Sequence, residues 1–222
     1  MEPLADDHPD VLEFEEKFSA LPDAIASDFA RSHEIYESNP DDPFNRRLLV
    51  RAVAFYIEGQ LAAIREKLIF HLHFFTDSDM NDVVPHTVKV AKKLNLNFKV
   101  RDYFQLVGKR LQKDLSRRIA NVVDDNLCVE KTIKFLFKIH GQVYGHTITP
   151  ANEADGWEML CEVKQKRNQL THPKCAADLE VTPEHIRKSM VVFIWMQGYL
   201  DAIHEVEAEK WKALYAELVE KG

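Results

Sequence analysis

Arg167-Asn168-Gln169-Leu170-Thr171-His172 closes a run of helical periodicity and is followed directly by Pro173. On a helix, Asn168 and His172 are four apart and share a face, while Arg167 lies about 100° around. Proline disfavours helical geometry at the residue before it, so the helix should stop at His172 and the imidazole should project from its end. A histidine can serve as general acid or base near neutrality. A neighbouring guanidinium can grip a phosphate in two places and stabilise charge that develops on it. The Asn168 amide can orient either group or donate to a phosphate oxygen. Together these residues have the makings of a phosphodiester-cleaving site. They also admit a simpler role, an arginine in a surface ion pair and a histidine capping the last carbonyls of its helix.

Several elements must position that hexapeptide. Asp42-Pro43 sets a capping carboxylate before a proline at the first helical position, and Leu48, Leu49, Ala52, Phe55, Tyr56, Ile64 and Leu68 follow at helical spacing. Thr149-Pro150 opens a second such run through Trp157, Leu160, Cys161 and Lys164 to Thr171. Thr182-Pro183 opens a third, through Ile186, Met190, Phe193, Ile194, Gln197, Ile203 and Val206. The spacing also predicts an N-terminal helix over about 10–38, interrupted near Pro22, and another near 128–141. Short helices are expected near 85–94 and 100–118. Only Ile69–Phe75 and Val143–Ile148 have strand character, and both are too short to build a sheet. The expected fold is all-α, a helical bundle.

The hexapeptide resembles the signature of the HEPN domains (higher eukaryotes and prokaryotes nucleotide-binding). That signature is an Arg, four to six intervening residues and a His, with Asn, Asp or His preferred after the Arg. Arg167 and His172 have the four-residue spacing and Asn168 the preferred type. The motif also closes one core helix and is followed by a last long one. The resemblance covers roughly residues 42–208. It implies a HEPN-type bundle with an acidic N-terminal helical extension over 1–41 and a basic helical insertion over about 83–118, neither of which the family accounts for. It further implies a metal-independent endoribonuclease of bacterial defence or toxin type, with the two motifs of a homodimer lining one cleft. Arg167, Asn168 and His172 would then be catalytic, and an antitoxin or other regulatory partner is a possibility. Glu58, in Phe55-Tyr56-Ile57-Glu58, stands where related sequences often carry an acidic residue and could pair with Arg167; a solvent-facing glutamate is the other reading. Arg65 and His71 also satisfy the loose pattern, but Glu66 follows that Arg and no turn signal follows that His.

Charge is unevenly spread. Residues 1–42 hold 13 acidic side chains against Lys17 and Arg31, whereas residues 86–118 hold ten basic ones against Asp102 and Asp114, all within a chain of net charge −7. Lys109, Arg110, Lys113, Arg117 and Arg118 are therefore candidate RNA contacts, or simply the solvated face of a helix. His71 with His73, and His140 with His146, lack a carboxylate or thiolate at ligand spacing, so neither pair is read as a metal site. Cys161 is expected in the core, and Trp195, Met196 and Tyr199 in the bundle or a dimer interface. No Gly-rich phosphate loop or Ser/His/Asp pattern calls for a cofactor. Three cysteines without CxxC spacing and no apolar run near the roughly 20 residues of a membrane helix suggest a cytoplasmic protein. Two further classes of function stay open. One is a non-catalytic module binding RNA, a nucleotide or a partner; the other is a scaffold whose acidic arm covers the basic insertion.

Overall fold

The structure is a computed structural model that describes residues 9–74, 109–114, 119–124, 129–148, 150 and 154–221, with side chains over 20–68, 129–148, 150 and 156–209. It is an all-α protein of five helices among the described residues. These are α1 (Pro9–Ser38), α2 (Pro43–Phe74), α3 (Val129–Tyr144), α4 (Ala154–Thr171) and α5 (Pro183–Lys221). Two short strands, β1 (Lys109–Asp114) and β2 (Ile119–Asp124), form an antiparallel hairpin, and a 3-10 turn spans Ala176–Leu179. The chain divides into two compact units, residues 1–60 with 148–222, and residues 61–147. No described helix is long and apolar enough to cross a membrane.

In the first unit, local sequence sets the helix starts. Asp42 Oδ1 accepts the Phe44 N–H at 2.8 Å, and the Asp42 carbonyl takes the first helical hydrogen bond from Arg46 N at 3.1 Å. Buried Asn45 then donates to Ile35 O (3.0 Å) and Asn39 O (3.1 Å), which fastens the start of α2 to the end of α1. Leu49, Val50, Val53 and Ile57 are buried along α2, Leu160, Val163 and Leu170 along α4, and Val192, Met196 and Leu200 along α5. Phe29 of α1 stacks on Phe193 of α5 with centroids 4.1 Å apart, and Tyr56 packs edge-on to the same ring at 5.1 Å. The Tyr56 hydroxyl donates to Gln197. Burial foremost, then the charge of Asp201, raises the Tyr56 pKa, against a lowering by the Gln197 hydrogen bond. Trp195 meets Trp157 and Tyr199 edge-on, at 5.8 and 5.5 Å, and its indole lies so close over Gly156 that a methyl group there would sit 2.7 Å from the ring.

Pro22 does not interrupt α1, contrary to expectation. It forgoes one hydrogen bond of the ladder, and Ile25 just beyond it is buried where the absence of a Gly59 side chain lets α2 approach. Cys161 is exposed, not part of the core. It lies about 100° beyond Leu160 on the wheel, away from the stripe of Leu160, Val163 and Leu170.

In the second unit, the later part of α2 buries Leu61, Ile64 and Leu68, and α3 buries Ile133, Leu136, Phe137 and Ile139. Ile69–Phe74 is helix, and Val143–Ile148 is the end of α3 and its exit. Gly145, at φ 80°, stops α3; its N–H and that of His146 both return to Gly141 O, at 2.9 and 3.1 Å. Residues 109–114 are a strand where a helix is expected. Their charges read like a solvated helix face, but their partners Ile119, Val122 and Val123 are β-branched and suit a sheet. The remainder of the basic insertion lies outside the described residues.

Candidate functional site

The last turn of α4 carries the hexapeptide, and the helix ends at Thr171 as the following proline requires. Leu170 is buried and anchors the turn, which leaves Arg167 half-buried and Asn168, Thr171 and His172 exposed. Thr171 Oγ1 donates to Arg167 O at 2.8 Å, and the His172 N–H donates to Asn168 O at 2.9 Å, so the turn is fully wound up to the histidine.

Two side chains from one stripe of α2 hold this turn. Glu58 accepts a hydrogen bond from Arg167 Nη2 at 2.5 Å, with both side chains about one-third exposed (33% and 32%). Arg51, seven residues earlier, donates to the Leu170 carbonyl and caps the end of α4. Arg167 Nη1 also reaches Asn168 Oδ1 at 3.1 Å. Arg167, Asn168 and Glu58 are thus joined, and the exposed His172 imidazole is not hydrogen-bonded to any of them. The pairing fixes the plane of the guanidinium and keeps its remaining N–H groups available to an anion. A carboxylate so close also offsets the positive charge, which lowers the long-range pull on phosphate.

Beyond His172 the exposed loop is shaped by Asp178, whose Oδ2 accepts the N–H groups of Lys174 (2.7 Å) and Cys175 (3.2 Å). The Lys174 bond foremost holds the Asp178 carboxyl below its ordinary range. Lys166, buried on α4, donates to Asp178 O at 3.1 Å. The helix after the loop starts with an unusual capping box. Thr182 N–H donates to His185 Nδ1 (3.1 Å), and His185 N–H donates to Thr182 Oγ1 (3.4 Å).

That box has a consequence for pH. Burial foremost, then the charges of Lys166 and Lys188, depresses the His185 pKa below the ordinary value of about 6.5, against a weaker pull upward from Glu162 and Glu184. Below the ordinary value the unfolded chain binds the proton more readily than the native one. The contribution is therefore whole above about 6.5 and drains away as pH falls through the native pKa. His185→Gln keeps an N3 acceptor that does not titrate, so its melting temperature should fall less between pH 7 and pH 5 than that of the unaltered protein. Parallel curves for the two proteins would remove His185 as the cause.

Other candidate residues lie elsewhere or are not described. Arg65 and His71 are both inside α2, which continues to Phe74, so they lack the helix end that the motif supplies. Lys109, Arg110 and Lys113 are on β1, a strand and not the helix expected there. The side chains of these three and of His71 and His73, together with Arg117 and Arg118 entirely, lie outside the described residues. His140 Nδ1 and His146 Nε2 approach to 2.6 Å, with the His140 ring stacked on Tyr144. Among the described residues no three His, Cys, Asp or Glu side chains converge as a metal site. The sequence marks Thr182 as a helix start but does not single out Arg51, Asp178 or His185. For Arg51 the signal was present, since 51, 55 and 58 share one helical stripe.

Compared with known family models, curated proteins and solved structures, the chain matches none.

Proposed function

We propose that this chain is a HEPN-type endoribonuclease that acts as a homodimer in a bacterial toxin or defence system in the cytoplasm. The observation that carries the reading is the end of α4, where Glu58 holds the Arg167 guanidinium in place while His172 stands exposed one turn further on. The signature residues Arg167, Asn168 and His172 supply the chemistry, and Glu58 positions the arginine. His172 takes the proton of a ribose 2′-OH, and the 2′-oxygen attacks the adjacent phosphorus. The bond to the 5′-oxygen breaks, and that oxygen leaves with a proton from a second His172 supplied by another copy of the chain. Arg167 stabilises the charge gathered on the phosphorane, and Asn168 holds the guanidinium. The products are a 2′,3′-cyclic phosphate and a 5′-OH. Base, acid and cation are all side chains, so the route has no step that calls for a metal. DNA has no 2′-OH and is inert to it.

The test is the chemistry of the ends. Total RNA incubated with the protein in EDTA should acquire 2′,3′-cyclic phosphate and 5′-OH termini. Fragments ending in 3′-OH and 5′-phosphate would exclude this route, and intact RNA would exclude the enzyme.

A second reading, a module that binds RNA or a nucleotide without cutting it, is favoured by one feature. Arg167 is already paired with a carboxylate in a chain of net charge −7. Under that reading the motif is retained for phosphate contact, and binding weakens with salt without any new ends. An antitoxin or regulatory partner, with the acidic N-terminal segment as a candidate contact, fits either reading.

A further inference from the structure

The stripe of α2 that holds the candidate site also exposes two large aromatic side chains. Phe44 and Phe55 are 57% and 53% exposed. Eleven residues apart, they fall within about 20° of each other on the helical wheel and about 16 Å apart along the axis. Arg51 lies between them on the same line, with Arg47 at its edge, and Glu58 follows Phe55 by three residues. Phe55 therefore sits between the two residues that tie α2 to the end of α4, Arg51 through Leu170 O and Glu58 through Arg167. A single exposed apolar side chain is ordinary; what sets this face apart is two rings on one helical line with a guanidinium between them.

From this line of alternating rings and guanidiniums we infer that α2 is a track for single-stranded RNA. It leads the strand to Arg167 and His172, and for that destination it rests on the endoribonuclease reading. Flat, unpaired bases stack on Phe44 and Phe55, and the intervening phosphates meet Arg51 and Arg47. Arg51 is exposed and spends one of its five donors on Leu170 O. Duplex RNA does not fit the arrangement, because its base faces are closed against each other and its sequence-bearing groove is too deep and narrow for side chains. A second protein chain would accept the same rings and guanidiniums, and the nucleotide strand is preferred because each of its units repeats a flat apolar face and an anion.

The experiment measures binding of a short, unstructured, fluorescent oligoribonucleotide to the full chain carrying His172→Ala, which prevents turnover. Adding Phe55→Ala should weaken binding by about 5- to 150-fold. Phe55→Tyr should restore it, and Phe44→Ala should show a loss in the same direction. The matching duplex should bind more weakly and be indifferent to Phe55. Unchanged single-strand affinity in Phe55→Ala, or an equal loss for duplex, overturns the track. So does dissociation of a dimer with affinity per protomer unchanged, which would assign the face to a second copy. The two readings separate cleanly. A Phe55-dependent affinity in a protein that never cuts RNA keeps the track and removes the nuclease. Cutting that needs His172 alongside binding indifferent to Phe55 keeps the nuclease and removes the track.

Discussion

His172→Ala should lower RNA cleavage by about a hundred- to ten-thousand-fold, the range lost with a general acid–base group. The melting temperature should barely move. The side chain is exposed, and the part of His172 that completes α4 is its backbone N–H to Asn168 O, which alanine retains. The contrast with a purely structural histidine is sharp. An imidazole that only caps carbonyls would, on removal, cost stability of about 0.3–1 kcal/mol and leave catalysis alone. Cleavage by purified His172→Ala at the rate of the unaltered protein would dismiss the histidine from the chemistry. A mixed dimer sharpens the test. If base and acid come from different copies, one alanine per dimer should already stall the reaction, because the remaining imidazole cannot perform both proton transfers in one step.

What could be read from sequence was whatever is decided within a few residues. Asp42-Pro43 and Thr182-Pro183 both open helices because a capping oxygen and a fixed proline φ act locally. The stop after Thr171 follows from Pro173 in the same way. The all-α fold was legible because apolar periodicity is repeated along each long helix. The hairpin was not. Lys109, Arg110 and Lys113 look alike on a solvated helix or a strand, and the deciding β-branched residues lie in the partner strand. Arg51 shares a helical stripe with Phe55 and Glu58, but its target is a backbone carbonyl far along the chain, which the sequence does not name. His185 gives no signal because the N3 partner in a capping box is ordinarily Glu or Gln. Glu58 was legible as a candidate through its place beside Phe55 and Tyr56, but its 2.5 Å reach to Arg167 is a property of the packed helices.

Arg167 and Glu58 make the other large prediction. Arg167→Ala should reduce cleavage by about a hundred- to thousand-fold, the loss seen when a donor to a developing oxyanion is removed. Arg167→Lys should recover little of it. An ammonium is a point charge, and it cannot hold Glu58 and Asn168 with some donors of a rigid planar group while offering the remaining ones to phosphate. Glu58 acts at one remove. Glu58→Gln keeps an oxygen that can accept the Arg167 N–H, so its loss should be only about tenfold, whereas Glu58→Ala frees the guanidinium and should cost more. Both losses should appear in kcat more than in KM, because what is given up is alignment at the transition state. The opposite sign is equally informative. If Glu58 merely quenches the positive charge, its removal liberates a cation for phosphate, and Glu58→Ala should bind RNA more tightly and cut it faster. That outcome would recast the ion pair as a brake on the site instead of its support.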